Sequence, residues 1–183
     1  MAESRVRLEV GQVAPDFTAV RLDGSPVRLR EFAGRKVWLA FFRWAQCPLC
    51  NFRIHELLAL WPSKFGDRSL VMLGIFQSPA TKLEGLVERH KPPFIPIPDP
   101  EMVLYEQYNL GTSMKSLLGK DVRRAIAGAR KEGMPMVGPW DGPALRAPAD
   151  FLIDGSGVIR VAYYGENIAD HIPFDRVSEY LAG

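Results

Sequence analysis

The chain has 183 residues, a net charge of +2, 47% hydrophobic and 24% charged residues, and two cysteines. This balance fits a single folded domain over residues 1–183 rather than a disordered chain, and no run approaches the ~18–20 uninterrupted apolar residues that a membrane-spanning helix needs. Glu3, Arg5, Arg7 and Glu9 stand where a secretory leader would place an apolar core, so the expected compartment is the cytoplasm, with neither a membrane nor nucleic acid as partner.

In chain order, an extended region over Phe17 to Arg21 ends in a turn at Asp23-Gly24. Val37 to Trp44 reads as a buried strand that runs into a helix from about Pro48 to Trp61, with apolar Ile54, Leu57, Leu58 and Trp61 at helical spacing. Pro48 suits a first helical turn, where its missing donor has no partner to lose. A second buried strand spans Leu70 to Phe76, and a helix runs from about Pro79 to His90. Lys91 to Pro100 holds five prolines, which permits only an edge strand at Phe94 to Ile97. Glu101 to Tyr108 is a short helix. Ser113 to Lys131 reads as an amphipathic helix with Met114, Leu117, Leu118, Val122 and Ala125 on one face. It carries Lys115, Lys120, Arg123, Arg124, Arg130 and Lys131 against Asp121 alone, which puts +5 there and −3 on the remainder. The default expectation for this charge is a solvated outer face. Gly133 to Pro148 is an irregular loop, the strands Phe151 to Ile153 and Val158 to Tyr163 form a hairpin around Asp154-Gly155-Ser156-Gly157, and a helix from about Phe174 to Leu181 follows. Strands and helices alternating in this way predict an α/β fold with helices on the faces of a sheet.

The chemistry concentrates at Cys47-Pro48-Leu49-Cys50, where strand meets helix. A cysteine at a helix N-terminus feels partial positive charge that favours thiolate over thiol, and a second thiol three residues on can resolve whatever the first one forms. Zinc needs about four ligands, which the scattered His55, His90 and His171 do not readily complete. A structural cross-link over so short a loop removes little unfolded-state entropy. Reversible redox chemistry is the leading expectation, with Cys47 the nucleophile and the more exposed partner, and Cys50 the resolving thiol. A reducing cytoplasm keeps such a disulfide transient.

Val10-Gly11-Gln12-Val13-Ala14-Pro15-Asp16-Phe17, the run Leu29 to Trp44 before the cysteine, and Phe151-Leu152-Ile153-Asp154-Gly155-Ser156-Gly157-Val158-Ile159 resemble the peroxiredoxin-like AhpC/TSA (redoxin) branch of the thioredoxin superfamily. The resemblance implies a thioredoxin-like fold, a central mixed β-sheet flanked by helices, with an N-terminal extension and a helical insertion at about 112–147 before the last hairpin. On that scaffold, related proteins reduce peroxides, reduce disulfides or oxidise thiols.

This sequence departs from the family pattern at two positions. Where a peroxiredoxin carries Thr or Ser three residues before its reactive cysteine, and Arg three residues before the Phe of the late strand, here stand Trp44 and Pro148. Neither makes the same contacts, so Arg43 or Arg146 is the expected replacement for the missing arginine. Pro148 matches the proline that faces the cysteines of thioredoxin-like reductases through a cis peptide bond, which makes Ala147–Pro148 an expected cis bond and disulfide exchange an expected activity. Trp44 and Pro48 are expected at the pocket rim, and Met134, Met136 and Trp140 near the cysteines. Substrates are then hydroperoxides or disulfides, recycled by a thioredoxin-like or low-molecular-weight thiol reductant. With neither a P-loop nor a dinucleotide fingerprint present, no cofactor is expected. Two alternatives stand beside this reading: a dedicated thiol peroxidase using Arg43 or Arg146, and a non-catalytic module that holds an acidic partner on the basic helix 113–131.

Overall fold

The computed structural model describes residues 6–66, 70–112, 117, 119–136 and 140–183. Five strands form one mixed sheet: β3 (Lys36–Phe41), β4 (Leu70–Phe76), β5 (Ile95–Pro98), β6 (Ala149–Ile153) and β7 (Ile159–Tyr164), in the order β5-β4-β3-β6-β7. β3 and β4 run parallel with Val37 opposite Val71, whereas β6 runs antiparallel to both β3 and β7. Two short strands, β1 (Thr18–Val20) and β2 (Pro26–Arg28), make a separate hairpin. β2 escaped the sequence reading because three residues are too few to show a period.

Helices α1 (Pro48–Lys64), α2 (Ala80–His90), α4 (Lys120–Lys131) and α5 (Phe174–Ala182) cover one face of the sheet. There Trp38 and Phe42 of β3 and its extension pack with Ile54, Leu57, Leu83, Val122 and Val177. The other face is covered by the β1–β2 hairpin, the 3-10 turn Leu29–Phe32 and α3 (Val103–Gln107), which bury Val37, Leu39 and Phe41 against Val27, Leu29, Leu104 and Tyr105. Cover on both faces is why β3 and β4 read as unbroken apolar runs and not as alternating ones. β5 holds Pro96 and Pro98 at the edge, bonded to β4 alone, where their missing donors cost least. This mixed, two-sided sheet is the fold class expected from the sequence.

The first buried strand ends at Phe41 and the short helix spans Val103–Gln107, both shorter than expected, and two further helix boundaries differ. α1 runs through Pro62 to Lys64, closed by the Phe65 amide donating to Trp61 O at 2.9 Å. The basic helix starts at Lys120; Met114, Lys115 and Leu118 lie outside the described residues. Gly119, at φ +142°, stands immediately before its first turn, in a conformation open to glycine and foreign to a helix. Val122, Ala125 and Ala129 of α4 are buried, while Lys120, Arg123, Arg124, Arg130 and Lys131 are exposed. Gly128 lets α4 approach α1 closely, since a Cβ there would stand 2.1 Å from the ring of Phe52. No described helix is long and apolar enough to cross a membrane.

Candidate active site

The β3–β4 pairing continues beyond the strands: the Phe42 amide donates to Ile75 O at 2.9 Å, and the Gln77 amide to Arg43 O at 2.8 Å. The buried hydroxyl of Tyr105 pins this end from beneath, 2.6 Å from Phe42 O and 3.0 Å from Ile75 O. The chain then turns, with the Cys47 amide donating to Trp44 O at 3.0 Å, and enters α1 with Pro48 at the first helical position. Cys47 is thereby the cap of α1. Its Sγ accepts from the Cys50 amide at 3.5 Å and from Arg43 Nη1 at 3.5 Å, while Cys50 Sγ accepts from the Arg43 amide at 3.4 Å.

These neighbours separate the two thiols. Burial pushes the Cys47 thiol up, but the hydrogen bond from the Cys50 thiol, the Arg43 charge and the amides of Cys50 and Leu49 outweigh it and bring Cys47 down to about 7. The Cys50 thiol is pushed up by its own burial, by the hydrogen bond it gives to Cys47 and by the negative charge on Cys47. One sulfur is poised as the anion, and the other holds its proton in reserve.

Cys47 is not the exposed member expected from its place at a helix start: it is 0% exposed and Cys50 1%. The cover comes from a distant segment. Arg43 Nη2 donates to Ala144 O, the Arg43 guanidinium lies 4.2 Å from the Trp44 ring centroid, and Trp140 leans on Trp44 with centroids 6.2 Å apart. Among them lies a cavity of about 280 Å³ bounded by Arg43, Trp44, Pro48, Leu49, Met136 and Trp140. Arg43 Nε is buried and has no hydrogen-bond partner among the described residues.

The two arginines named from the sequence part company here. Arg43 touches Cys47, whereas the bonds of Arg146 run to Gln77 Oε1 at 3.3 Å, to Leu110 O and to Met102 Sδ at 3.4 Å. Pro148 departs from expectation in its peptide bond, which is trans; the residue lines a small hollow with Arg7, Leu110 and Thr112. Its carbonyl is engaged by the Gly165 amide at 2.9 Å, which ties it to the β6–β7 side of the sheet. Met134 borders a different groove, on the α2 side of Pro48. His55 is exposed on α1, while His171 is buried, with Nδ1 3.3 Å from Asp150 Oδ2.

Sequence reasoning missed the residues that hold the loop still. Buried Asn51 donates through Nδ2 to Ala45 O at 2.7 Å and to Cys47 O at 2.8 Å, and its Oδ1 stands 2.8 Å from His90 Nε2. Ser78 Oγ accepts from the Ala45 amide at 2.9 Å and donates to Asp141 Oδ2 at 2.6 Å; Asp141 also pairs with Lys82. A polar residue between Cys50 and Phe52, at the end of the first helical turn, was the available signal for Asn51. Ser78 and Asp141 gave none, being meaningful only once 63 residues of separation are folded together. Among the described residues, no group of three or more His, Cys, Asp or Glu side chains is arranged to hold a metal ion.

Comparison with known proteins agrees with this architecture. The model of the AhpC/TSA family matches residues 10–162. A putative peroxiredoxin of Helicobacter pylori is 36% identical over 69 residues, an alignment spanning 38% of this chain and 45% of that relative's length. A putative peroxiredoxin of Coxiella burnetii is 28% identical over 165 residues, 90% of this chain and 94% of the relative. The crystal structure of a peroxiredoxin-like protein from Aquifex aeolicus superposes with a TM-score of 0.70 at 14% identity, covering 97% of this chain and 88% of the other. With the family model matching over most of its length, the chain belongs to the AhpC/TSA family.

Proposed function

We propose that the chain is a thiol-dependent oxidoreductase of peroxiredoxin type that reduces hydroperoxides through a Cys47–Cys50 dithiol–disulfide cycle. The observation that carries this reading is the Cys47 sulfur, held between the Arg43 guanidinium and the Cys50 amide with a protonated second thiol beside it. The Cys47 thiolate attacks the terminal oxygen of a hydroperoxide; the O–O bond breaks, the leaving oxygen takes up a proton to become water or an alcohol, and Cys47 is left as a sulfenic acid. That step removes the negative charge that kept Cys50 protonated. Cys50 then gives up its proton and attacks the sulfenic sulfur, water departs, and the disulfide forms. Two electrons from an external thiol reductant restore both cysteines.

Arg43 serves this chemistry twice, as the charge on the thiolate and as the owner of a buried, unused Nε–H that can meet a peroxide oxygen as charge develops on it. Disulfide exchange is the second activity open to the same Cys47–Cys50 pair. Stopped-flow mixing of reduced protein with hydrogen peroxide, an organic hydroperoxide and a model disulfide separates the two activities. A peroxide is expected to react fastest, the Cys47→Ser protein to lose the reaction, and the Cys50→Ser protein to stall as a sulfenic acid that dimedone traps. Fastest reaction with the disulfide would reassign the enzyme to thiol–disulfide exchange.

A further inference from the structure

A second hollow borders the same helix start. It is a groove of about 590 Å³ whose inner wall is Gln46, Pro48 and Asn51, and whose outer wall carries Arg89, His90 and Glu132. Pro48 is common to this groove and to the cavity beside Arg43, so the two hollows lie against the same segment of chain from different sides. Their chemistry differs. The cavity is walled by Trp44, Met136 and Trp140 around one guanidinium, while the groove offers an exposed cation, Arg89, and an exposed carboxylate, Glu132. Among the described residues Arg89 makes no ion pair, and Glu132 meets only His55, at 3.7 Å.

The groove is also mechanically joined to the reactive sulfur. Gln46 and Pro48 flank Cys47 in the chain, and Asn51 links the groove wall to the Cys47 backbone, since Nδ2 bonds Cys47 O while Oδ1 meets His90. An occupant of the groove therefore rests on the backbone that carries Cys47.

We propose that this groove is where the reductant enters, and that it selects a small zwitterionic thiol of peptide size, with a carboxylate at Arg89 and an ammonium at Glu132. A volume of this order suits such a ligand, and paired opposite charges recognise a zwitterion better than a neutral thiol or a singly charged one. The proposal rests on the Cys47–Cys50 cycle above. The bound thiolate attacks Cys47 Sγ of the disulfide, the Cys47–Cys50 bond breaks, and Cys50 leaves and takes up a proton. A second thiol then attacks the outer sulfur of the mixed disulfide, which releases the oxidised thiol dimer and the Cys47 thiolate. Oxidant and reductant are thus assigned to the two hollows that share Pro48.

The test begins with protein oxidised by diamide, so that the reductive half is read without any peroxide step. Reduction is followed by alkylation and mass shift, with glutathione, 2-mercaptoethanol, 3-mercaptopropionate and cysteamine compared at equal thiolate concentration. Glutathione is expected to show saturation and to exceed 2-mercaptoethanol by roughly tenfold, with the two singly charged thiols in between. In Arg89→Gln and in Glu132→Gln the glutathione-to-mercaptoethanol ratio is expected to fall to the level of a singly charged thiol, and in the double variant to near one. A rate linear in every thiol with a wild-type ratio near one, or a ratio that both variants leave unchanged, overturns the groove assignment. Absence of a diamide disulfide overturns the cycle and the inference with it, whereas a preserved ratio in a protein inert to peroxide sinks the peroxidase reading alone.

Discussion

Arg43 acts on Cys47 through space and through the chain together: its guanidinium lies 3.5 Å from Cys47 Sγ, and its backbone amide reaches Cys50 Sγ. Replacing it with methionine keeps much of the side-chain length and removes the charge. The Cys47 thiol is then expected to titrate above its present value of about 7 by one unit or more, since the charge no longer offsets the burial. The sign follows directly. Thiolate prevails above the titration midpoint, so raising the midpoint removes thiolate at neutral pH, from about half to about a tenth at pH 7. Thiolate absorbance at 240 nm against pH reads this shift, and the rate with hydrogen peroxide at pH 7 is expected to fall at least in proportion. An unmoved midpoint would mean that the Cys50 thiol and the helix amides set the acidity alone. The Cys-x-x-Cys spacing made the pair legible in the sequence because the two residues sit within one helical turn. The choice between Arg43 and Arg146 was not legible, because both stand near the cysteine or the late strand in sequence and only the folded path of the loop before β6 separates them.

At the scale of elements, one buried carboxylate joins four of them. Asp150 of β6 accepts from Trp38 Nε1 of β3 at 2.8 Å and, ahead of α5, from the Ile172 amide at 3.0 Å, with His171 Nδ1 at 3.3 Å. Arg53 of α1 donates to Ile172 O and lies 3.5 Å over the Phe174 ring. Burial alone would raise Asp150, yet the His171 hydrogen bond, the charges of His171 and Arg53 and the Ile172 amide hold it below the usual carboxylate value. Asp150→Asn leaves this shape without its charge and is expected to cost about 3 kcal/mol of stability in urea unfolding at pH 7. Because the folded-state value is depressed, the contribution is complete above the unfolded value, starts to decline there, and is lost as pH falls through the folded value. The gap between wild type and variant is therefore expected to narrow below about pH 4. A gap that stays constant with pH would assign the loss to packing. The strand itself was legible from Phe151-Leu152-Ile153, but the partners of Asp150 were not, since they arrive from β3 and from the segment before α5.

For the whole molecule, the sheet orders stability. β3 and β6 are paired on both sides, and β4 is buried along its full length; α4 packs on α1 beyond them and presents an exposed basic face. Hydrogen exchange is expected to be slowest in β3, β4 and β6, and faster by orders of magnitude in α4 and in the segment at 140–146, because sub-global opening there exposes little apolar area. Equal protection across α4 and β3 would show one cooperative unit instead. The sequence by itself determined the chain order of the five central-sheet strands and the helices, and the place of Cys47 before the first helical turn, since period, proline position and a four-residue motif are local properties of the chain. Tertiary structure alone decided that Cys47 is covered, that Asn51 and His90 brace its backbone, and that a carbonyl 101 residues distant from Arg43 holds that side chain in place. The physical reason is one of range: each of these contacts joins segments that share no local pattern and meet only when the sheet closes between them.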